Sequence, residues 1–345
     1  MEVSASNEIP ERRSRRQSYW TALCWTVLSC SSLLPGLGCR EPARVTIAVI
    51  PRTTASMQWE PMHRGAEAAA ADLGVRIYWN APMREDDVGG QIAMVGRVIG
   101  ENYQGLVLAP DQALALITPV RRATSRKLPT VIVGSPLPME PGGRLSYILN
   151  DEEEGGRIAA RRVATLLHGH GSIAILGINP DIAGIMTRAR SLEQFLAENY
   201  PDIRVVQKLM GSFNMPREQQ IAEQTLQSNP DLDAIVALMW TSARGAISAV
   251  DAQPHSRIKV IGFDPDVIAF QDPALDSVIL QNNPEIGRRA VQLIDAQLHG
   301  KTVPPLTTLK PLLVTRENAD SPQVREMTSM DWRPGALHWN WSTTP

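Results

Sequence analysis

Residues 229–266 restrict the fold more than any other part of the chain. Residues 234–238 form a short apolar run behind the turn signal Asn229-Pro230-Asp231. Residues 241–250 have the composition of a helix, with small side chains at Ala243, Gly245 and Ala246. Residues 259–263 are a second apolar run, and it stops at Asp264. Two short apolar runs joined by a helix make one strand–helix–strand unit, the connection that parallel strands require. In open parallel sheets, ligands lie beyond the carboxyl ends of the strands. That rule singles out Met239, Trp240 and Asp264, each of which follows a strand.

The same alternation runs through the rest of the chain. Residues 44–50, 75–79, 105–109 and 130–133 read as strands. Residues 58–73, 87–101 and 114–127 read as the helices between them. Val88, Ile92, Val95 and Ile99 recur at helical spacing, and Gly74 stands where a helix C-cap is expected. A strand at 146–149 leads to a helix ending at Leu167. The Glu152-Glu153-Glu154 run there suits the positive end of the helix dipole, and a paired-carboxylate catalytic site is the other reading. The alternation then restarts with strands at 173–176 and 205–209 and helices at 187–198 and 216–227, the latter with proline in its first turn. A strand at 277–280, a helix to His299 and a strand at 312–314 close the pattern. It predicts doubly wound α/β architecture. Residues 318–345, with Trp332, Trp339 and Trp341, show no periodicity, and the sequence leaves open whether they are loosely ordered or packed on the body.

A length of 345 residues suits two domains, and 43% hydrophobic residues support a sizeable core. A formal net charge of −2 argues against the basic patch that a nucleic-acid partner requires. The three cysteines, Cys24, Cys30 and Cys39, all lie near the N-terminus, so the body has no thiol nucleophile, internal disulfide or thiolate metal site. Residues 1–40 read as an export leader: Arg12, Arg13, Arg15 and Arg16 precede a mostly apolar or small stretch at 19–34. That stretch is marginal for a membrane span, which takes about 20 apolar residues. Cys39 follows Gly36-Leu37-Gly38 and Cys30 follows Val27-Leu28-Ser29, both resembling a lipobox. Cys39 is the expected lipidation site and Cys30 the alternative, beside a plain signal peptide or an uncleaved anchor. There is no Gly-x-Ser-x-Gly elbow, phosphate-binding glycine loop or His-Glu-x-x-His. His168-Gly169-His170 offers two histidines, too few for a metal site, and reads as a loop. The chain is expected to be neither an enzyme nor a holder of a cofactor or metal.

Four segments carry a family resemblance: Tyr200-Pro-Asp-Ile-Arg-Val-Val206, Asn229-Pro-Asp-Leu-Asp-Ala-Ile-Val236, Val260-Ile-Gly-Phe-Asp264 and Gln281-Asn-Asn-Pro-Glu-Ile-Gly287. In this order and at this spacing they resemble the type I periplasmic sugar-binding proteins of the ribose-binding-protein class, relatives of LacI-type effector lobes. The resemblance covers roughly residues 44–314. It implies two α/β lobes joined by a three-strand hinge, closing on a ligand between them. The lobes would be 44–148 with 282–309 and 149–281 with 310–317, followed by a tail at 318–345. It further implies an exported monomer, membrane-attached through its lipid, that captures a sugar or sugar-like molecule for an ABC-type permease. A sensory binding protein that presents its ligand to a membrane receptor or kinase is the alternative.

Site residues follow from the resemblance one at a time. Asp264 matches the aspartate that accepts hydrogen bonds from sugar hydroxyls, and Gln281 the hinge glutamine. Trp59 and Phe213 fall at positions of aromatic rings that stack on the sugar. Ser56 stands where asparagine is common, Gly134-Ser135 where the family has Asp-Arg, and Met239-Trp240 where it has Asn-Asp. The usual arginine four residues before Phe195 is Ser191 here; Arg188, nearly on the same helix face, is the preferred substitute and Arg190 the second choice. Asp111 is a weaker candidate that reads as a turn residue. With polar clamps lost and Trp240 gained, a ligand less polar than a simple pentose or hexose is expected.

Overall fold

The computed structural model describes residues 44–253, 256–264 and 270–330. The leader with Cys24, Cys30 and Cys39, and the tryptophans at 332, 339 and 341, lie outside them. The first half runs β1 (Thr46–Ile50), a 3-10 turn (Met57–Trp59), α1 (Glu60–Leu73), β2 (Arg76–Trp79), α2 (Val88–Gly100), β3 (Gly105–Leu108), α3 (Ile117–Ser125), β4 (Thr130–Gly134) and β5 (Leu145–Asn150). The second runs α4 (Glu152–Leu166), β6 (Gly171–Ile178), α5 (Ala183–Asn199), β7 (Ile203–Met210), α6 (Met215–Ser228), β8 (Ala234–Ala237), α7 (Trp240–Asp251), β9 (Lys259–Phe263) and β10 (Leu275–Leu280). Then follow α8 (Asn283–Leu298), β11 (Leu306–Leu309), β12 (Leu312–Thr315) and α9 (Pro322–Thr328).

The strands form two sheets, ordered β11-β5-β4-β3-β1-β2 and β12-β10-β9-β8-β6-β7. Every pairing is parallel except that of β10 with β12. Period-two side-chain direction puts each sheet between two apolar layers. Ile47 and Val49 point to one side with α1 and α8, while Ala48 and Ile50 point to the other with α2 and α3. In the second sheet Ile173 and Ile175 meet α4 and α5, while Ala174 and Leu176 meet α6 and α7. The chain passes between sheets three times: from β5 to α4, from β10 to α8, and from β11 to β12.

Local signals set the helix ends. Gly74 caps α1 at φ 68°, a left-handed conformation that glycine adopts without strain. Asp87, Asp151, Asn214 and Asn282 each accept a backbone N–H in the first turn of the helix that follows. Four elements differ from expectation, among them β11 and α9, which fall where the sequence shows no strand or helix pattern. α3 is shorter, because residues 112–116 form turns instead of continuing the helix. α5 starts at Ala183, four residues before the expected start at 187, and so carries Arg188 inside the helix. The described residues after β12 include the short helix α9. In α9, Val324 and Met327 are buried against Leu280 and Val314 of the crossing strands, and Arg64 of α1 donates to the carbonyls of Glu326 and Ser329. Among the described residues no helix is long and apolar enough to cross a membrane.

The α1–α8 contact relies on two glycines. A Cβ on Gly65 would lie 1.9 Å from the Pro284 carbonyl oxygen, and one on Gly287 would lie 2.0 Å from that of Met62. Both obstacles are backbone, so neither moves cheaply. Gly287→Ala is expected to destabilise the protein by about 1–3 kcal/mol through overpacking. Urea denaturation of the variant beside the parent measures this.

Candidate ligand cleft

The carboxyl ends of both sheets face a common cleft holding about 660 Å³ of atom-free space, its mouth included. The first sheet and its helices contribute Arg52, Gln58, Trp59, Glu85, Ser135 and Asn150. The second contributes Glu152, Ile182, Ile185, Arg188, Phe213, Met239, Trp240 and Asp264, and the β10–α8 crossing adds Gln281 and Asn283. The two sides also meet directly. Gly184 N donates to Ser135 Oγ at 3.1 Å, Ala113 N to Asp181 O at 3.3 Å, and Gln112 Nε2 to Asp181 Oδ1 at 3.1 Å.

Arg188 organises the second-sheet wall. It is 3% exposed. Its Nε and Nη2 donate to the two Glu152 carboxylate oxygens, each at 2.8 Å. Its Nη1 donates to Leu238 O at 2.8 Å and to Asp264 Oδ2 at 2.9 Å, and the guanidinium carbon stands 4.4 Å from the Phe263 ring centroid. Burial opposes the charge on Arg188, but Glu152 and Asp264 outweigh it and raise the pKa, so the group stays a cation. Burial pushes the Glu152 carboxyl up, against the Arg188 charge and its hydrogen bonds. The planar fork of arginine matches this arrangement of four acceptor oxygens.

Asp264 ends β9 at φ 48°, a left-handed conformation that aspartate tolerates better than most residues. With Oδ2 tied to Arg188, its Oδ1 is buried without a protein partner. Gln281, 2% exposed, directs Nε2 toward Glu152 Oε2 at 3.4 Å and keeps Oε1 unpaired. Phe213 lies on a loop fixed from beneath. Glu218 accepts the Ser212 N–H and the Ser242 hydroxyl, and Thr241 Oγ1 donates to Ser212 O at 2.9 Å.

On the facing wall, Trp59 Nε1 donates to Glu85 Oε1 at 3.1 Å and Gln58 Nε2 donates to the same oxygen at 2.6 Å. The Arg52 guanidinium carbon is 5.7 Å from the Trp59 ring centroid. Glu85 Oε2, Asn150 Oδ1, Asp264 Oδ1, Gln281 Oε1 and Trp240 Nε1 are all buried without a protein hydrogen bond, and all belong to cleft residues. Four of the five are acceptors. An unmade hydrogen bond at a buried group costs about 1–3 kcal/mol, so the cleft suits a guest rich in donors.

Eight of the ten residues named from the sequence line the cleft: Asp264, Gln281, Trp59, Arg188, Phe213, Trp240, Met239 and Ser135. Arg190 does not. It is exposed on the outer face of α5, because two residues along a helix turn the side chain through roughly 200° from Arg188. Ser56 does not either; it is buried at the start of the 3-10 turn, where its carbonyl accepts the Trp59 N–H. Ser135 is engaged by the contact with Gly184. The sequence reading missed Glu152, Glu85, Arg52 and Asn150. Glu152 sits in the first turn of α4 as expected, but its side chain turns into the cleft as the partner of Arg188.

Asp111 follows β3 behind the first-sheet wall, outside the residues that line the cleft, with both carboxylate oxygens buried and unpaired. Burial, opposed by the Arg52 charge, pushes its pKa up to about 8. The folded state therefore holds a proton that the unfolded state releases near its ordinary value of 3.8. The associated stability is fully present below about pH 4 and lost as pH rises through about 8. Asp111→Asn is expected to flatten this dependence and to raise stability at pH 8 more than at pH 4. Denaturation midpoints at the two pH values check it.

Two sheets of this order, three crossings and a cleft at the strand ends define the type I periplasmic binding protein fold. The family model for the periplasmic binding protein domain matches residues 47–302, and the chain belongs to that family. It is a family of exported binding proteins. The D-allose-binding periplasmic protein of Escherichia coli is 26% identical over 274 residues, which covers 76% of this chain and 88% of that one. The ribose import binding protein of Bacillus subtilis is 26% identical over 245 residues, covering 70% of this chain and 78% of that one. Among solved structures, a carbohydrate transporter solute binding protein of Agrobacterium radiobacter, in complex with D-arabinose, superposes with a TM-score of 0.77 at 24% identity, covering 84% of this chain and 100% of that one.

Proposed function

We propose that this protein captures a sugar or sugar-like polyol in the cleft and delivers it to an ABC-type importer. The observation that carries the reading is the group of buried, partnerless acceptors on opposite walls, above all Asp264 Oδ1, held in place through the Arg188 bridge. Hydroxyl groups supply the donors those atoms need, and the rings of Trp59, Phe213 and Trp240 offer flat apolar faces to sugar C–H groups. The relatives' names, for allose, ribose and apiose, support the same ligand class. Rotation at the three crossings brings the walls together, and a ligand that touches both favours the closed form, which the permease would then recognise. Lipidation at Cys39, or at Cys30, would hold the protein at the membrane; radiolabelled fatty-acid incorporation that disappears in Cys39→Ala supports the first assignment.

Titration calorimetry of the purified protein against a panel of aldopentoses, aldohexoses, ketohexoses and pentitols tests the reading. Saturable binding of at least one member with 1:1 stoichiometry is expected. A panel in which every member leaves the heat signal unchanged rejects it.

A further inference from the structure

Glu85 has no role in the sequence reading, yet it lines the cleft as a buried acid. It comes from the loop between β2 and α2, is 5% exposed, and spends one oxygen on Trp59 and Gln58. Its second oxygen is buried and unpaired. Trp240, from the second sheet's side, has no formed hydrogen bond at Nε1, but its N–H lies near enough to favour the Glu85 charge.

The cleft is also short of positive charge. Glu85, Glu152 and Asp264 contribute three carboxylates, and Arg52 and Arg188 two guanidinium groups. Arg188 is engaged by Glu152 and Asp264. Arg52 directs Nε to Pro110 O at 3.1 Å and stands beside the Trp59 ring. Burial drives the Glu85 carboxyl above its ordinary range despite Arg52 and its hydrogen-bond donors, the sign of a buried acid lacking a full counter-charge. An ammonium group has three donors and no acceptor. A buried carboxylate oxygen without a partner recognises it through charge-assisted hydrogen bonds.

We infer that the preferred ligand is an amino-deoxy sugar whose ammonium group sits against Glu85 Oε2 between Trp59 and Trp240, its hydroxyls meeting Asp264 and Gln281. The inference rests on the proposed sugar-binding function and narrows it. The same charge arrangement disfavours sugar phosphates and sugar acids.

The test is calorimetry at pH 7 on matched pairs of aldoses that differ only by amine in place of hydroxyl, in pentose and hexose series. The amine is expected to bind at least about tenfold tighter than its hydroxyl partner in one pair or more. Glu85→Gln is expected to bring that ratio close to one while the neutral sugar's affinity changes less. In the parent protein the amine's advantage should also fade as pH rises through the amine's own pKa, a readout that does not depend on the variant folding. Equal or weaker amine binding in every pair overturns the inference and leaves sugar binding intact. An amine preference that persists in Glu85→Gln, or that ignores pH, overturns the assignment to Glu85. Binding of neither member of any pair overturns this inference, while the sugar reading falls only if the ketohexoses and pentitols of the wider panel fail as well.

Discussion

Arg188→Ala is expected to lower the unfolding free energy by about 3–5 kcal/mol and to remove measurable sugar binding. The arginine is almost fully buried and bridges two carboxylates, so its removal leaves Glu152 and Asp264 without a cation. Breaking a buried pair by deleting one partner carries a cost of about this size. Asp264 would also lose the tie that directs its free oxygen into the cleft. Arg188→Lys is expected to recover less than half of either property, because one ammonium cannot reproduce the fork that reaches Glu152 twice, Leu238 O and Asp264. Urea denaturation and calorimetry on the same preparations separate the two effects. Unchanged stability in Arg188→Ala would mean that the bridge is not formed as described.

Asp264→Asn has the second-largest expected effect, and it falls on binding more than on folding. Asparagine tolerates the left-handed backbone at this position, and the Glu152–Arg188 pair survives the change. The lost interaction is a charge-assisted hydrogen bond to a ligand hydroxyl, worth about 1.5–3 kcal/mol, or roughly a 10- to 150-fold weaker affinity. Asp264→Ala should weaken binding further and also reduce stability, since alanine at φ 48° adds roughly 1–2 kcal/mol of backbone strain. Affinity that is the same in both variants as in the parent would remove Asp264 from the site.

The architecture was readable because it depends on repetition. Short apolar runs such as 234–238 and 259–263 are buried on both faces, so they appear as unbroken apolar stretches, and the helices between them carry their own caps. Strand ends could be located, and the rule for parallel sheets then brought Met239, Trp240 and Asp264 to the cleft. Side-chain direction was harder to read. Glu152 looked like one of three equivalent carboxylates at a helix start, yet Glu153 is exposed, Glu154 pairs with Arg157 and Arg161, and only Glu152 turns inward to Arg188. Glu85 lies in the polar loop sequence Arg84-Glu85-Asp86-Asp87, where Asp86 pairs with Arg84 at the surface and Asp87 caps α2. Nothing in that composition indicates which acid is buried. Arg190 lies off the cleft because proximity in sequence does not preserve a helix face. The one available clue to Glu152 was an arginine expected in the cleft, which needs a buried acid to compensate it.

The most direct test of the account is a crystal structure of the protein bound to the sugar that calorimetry selects. The account predicts ligand density between Trp59 and Asp264, with a donor about 2.6–3.0 Å from Asp264 Oδ1 and the Arg188 bridge to Oδ2 retained. Ligand bound outside the cleft, or within it while Asp264 Oδ1 faces protein alone, would contradict it.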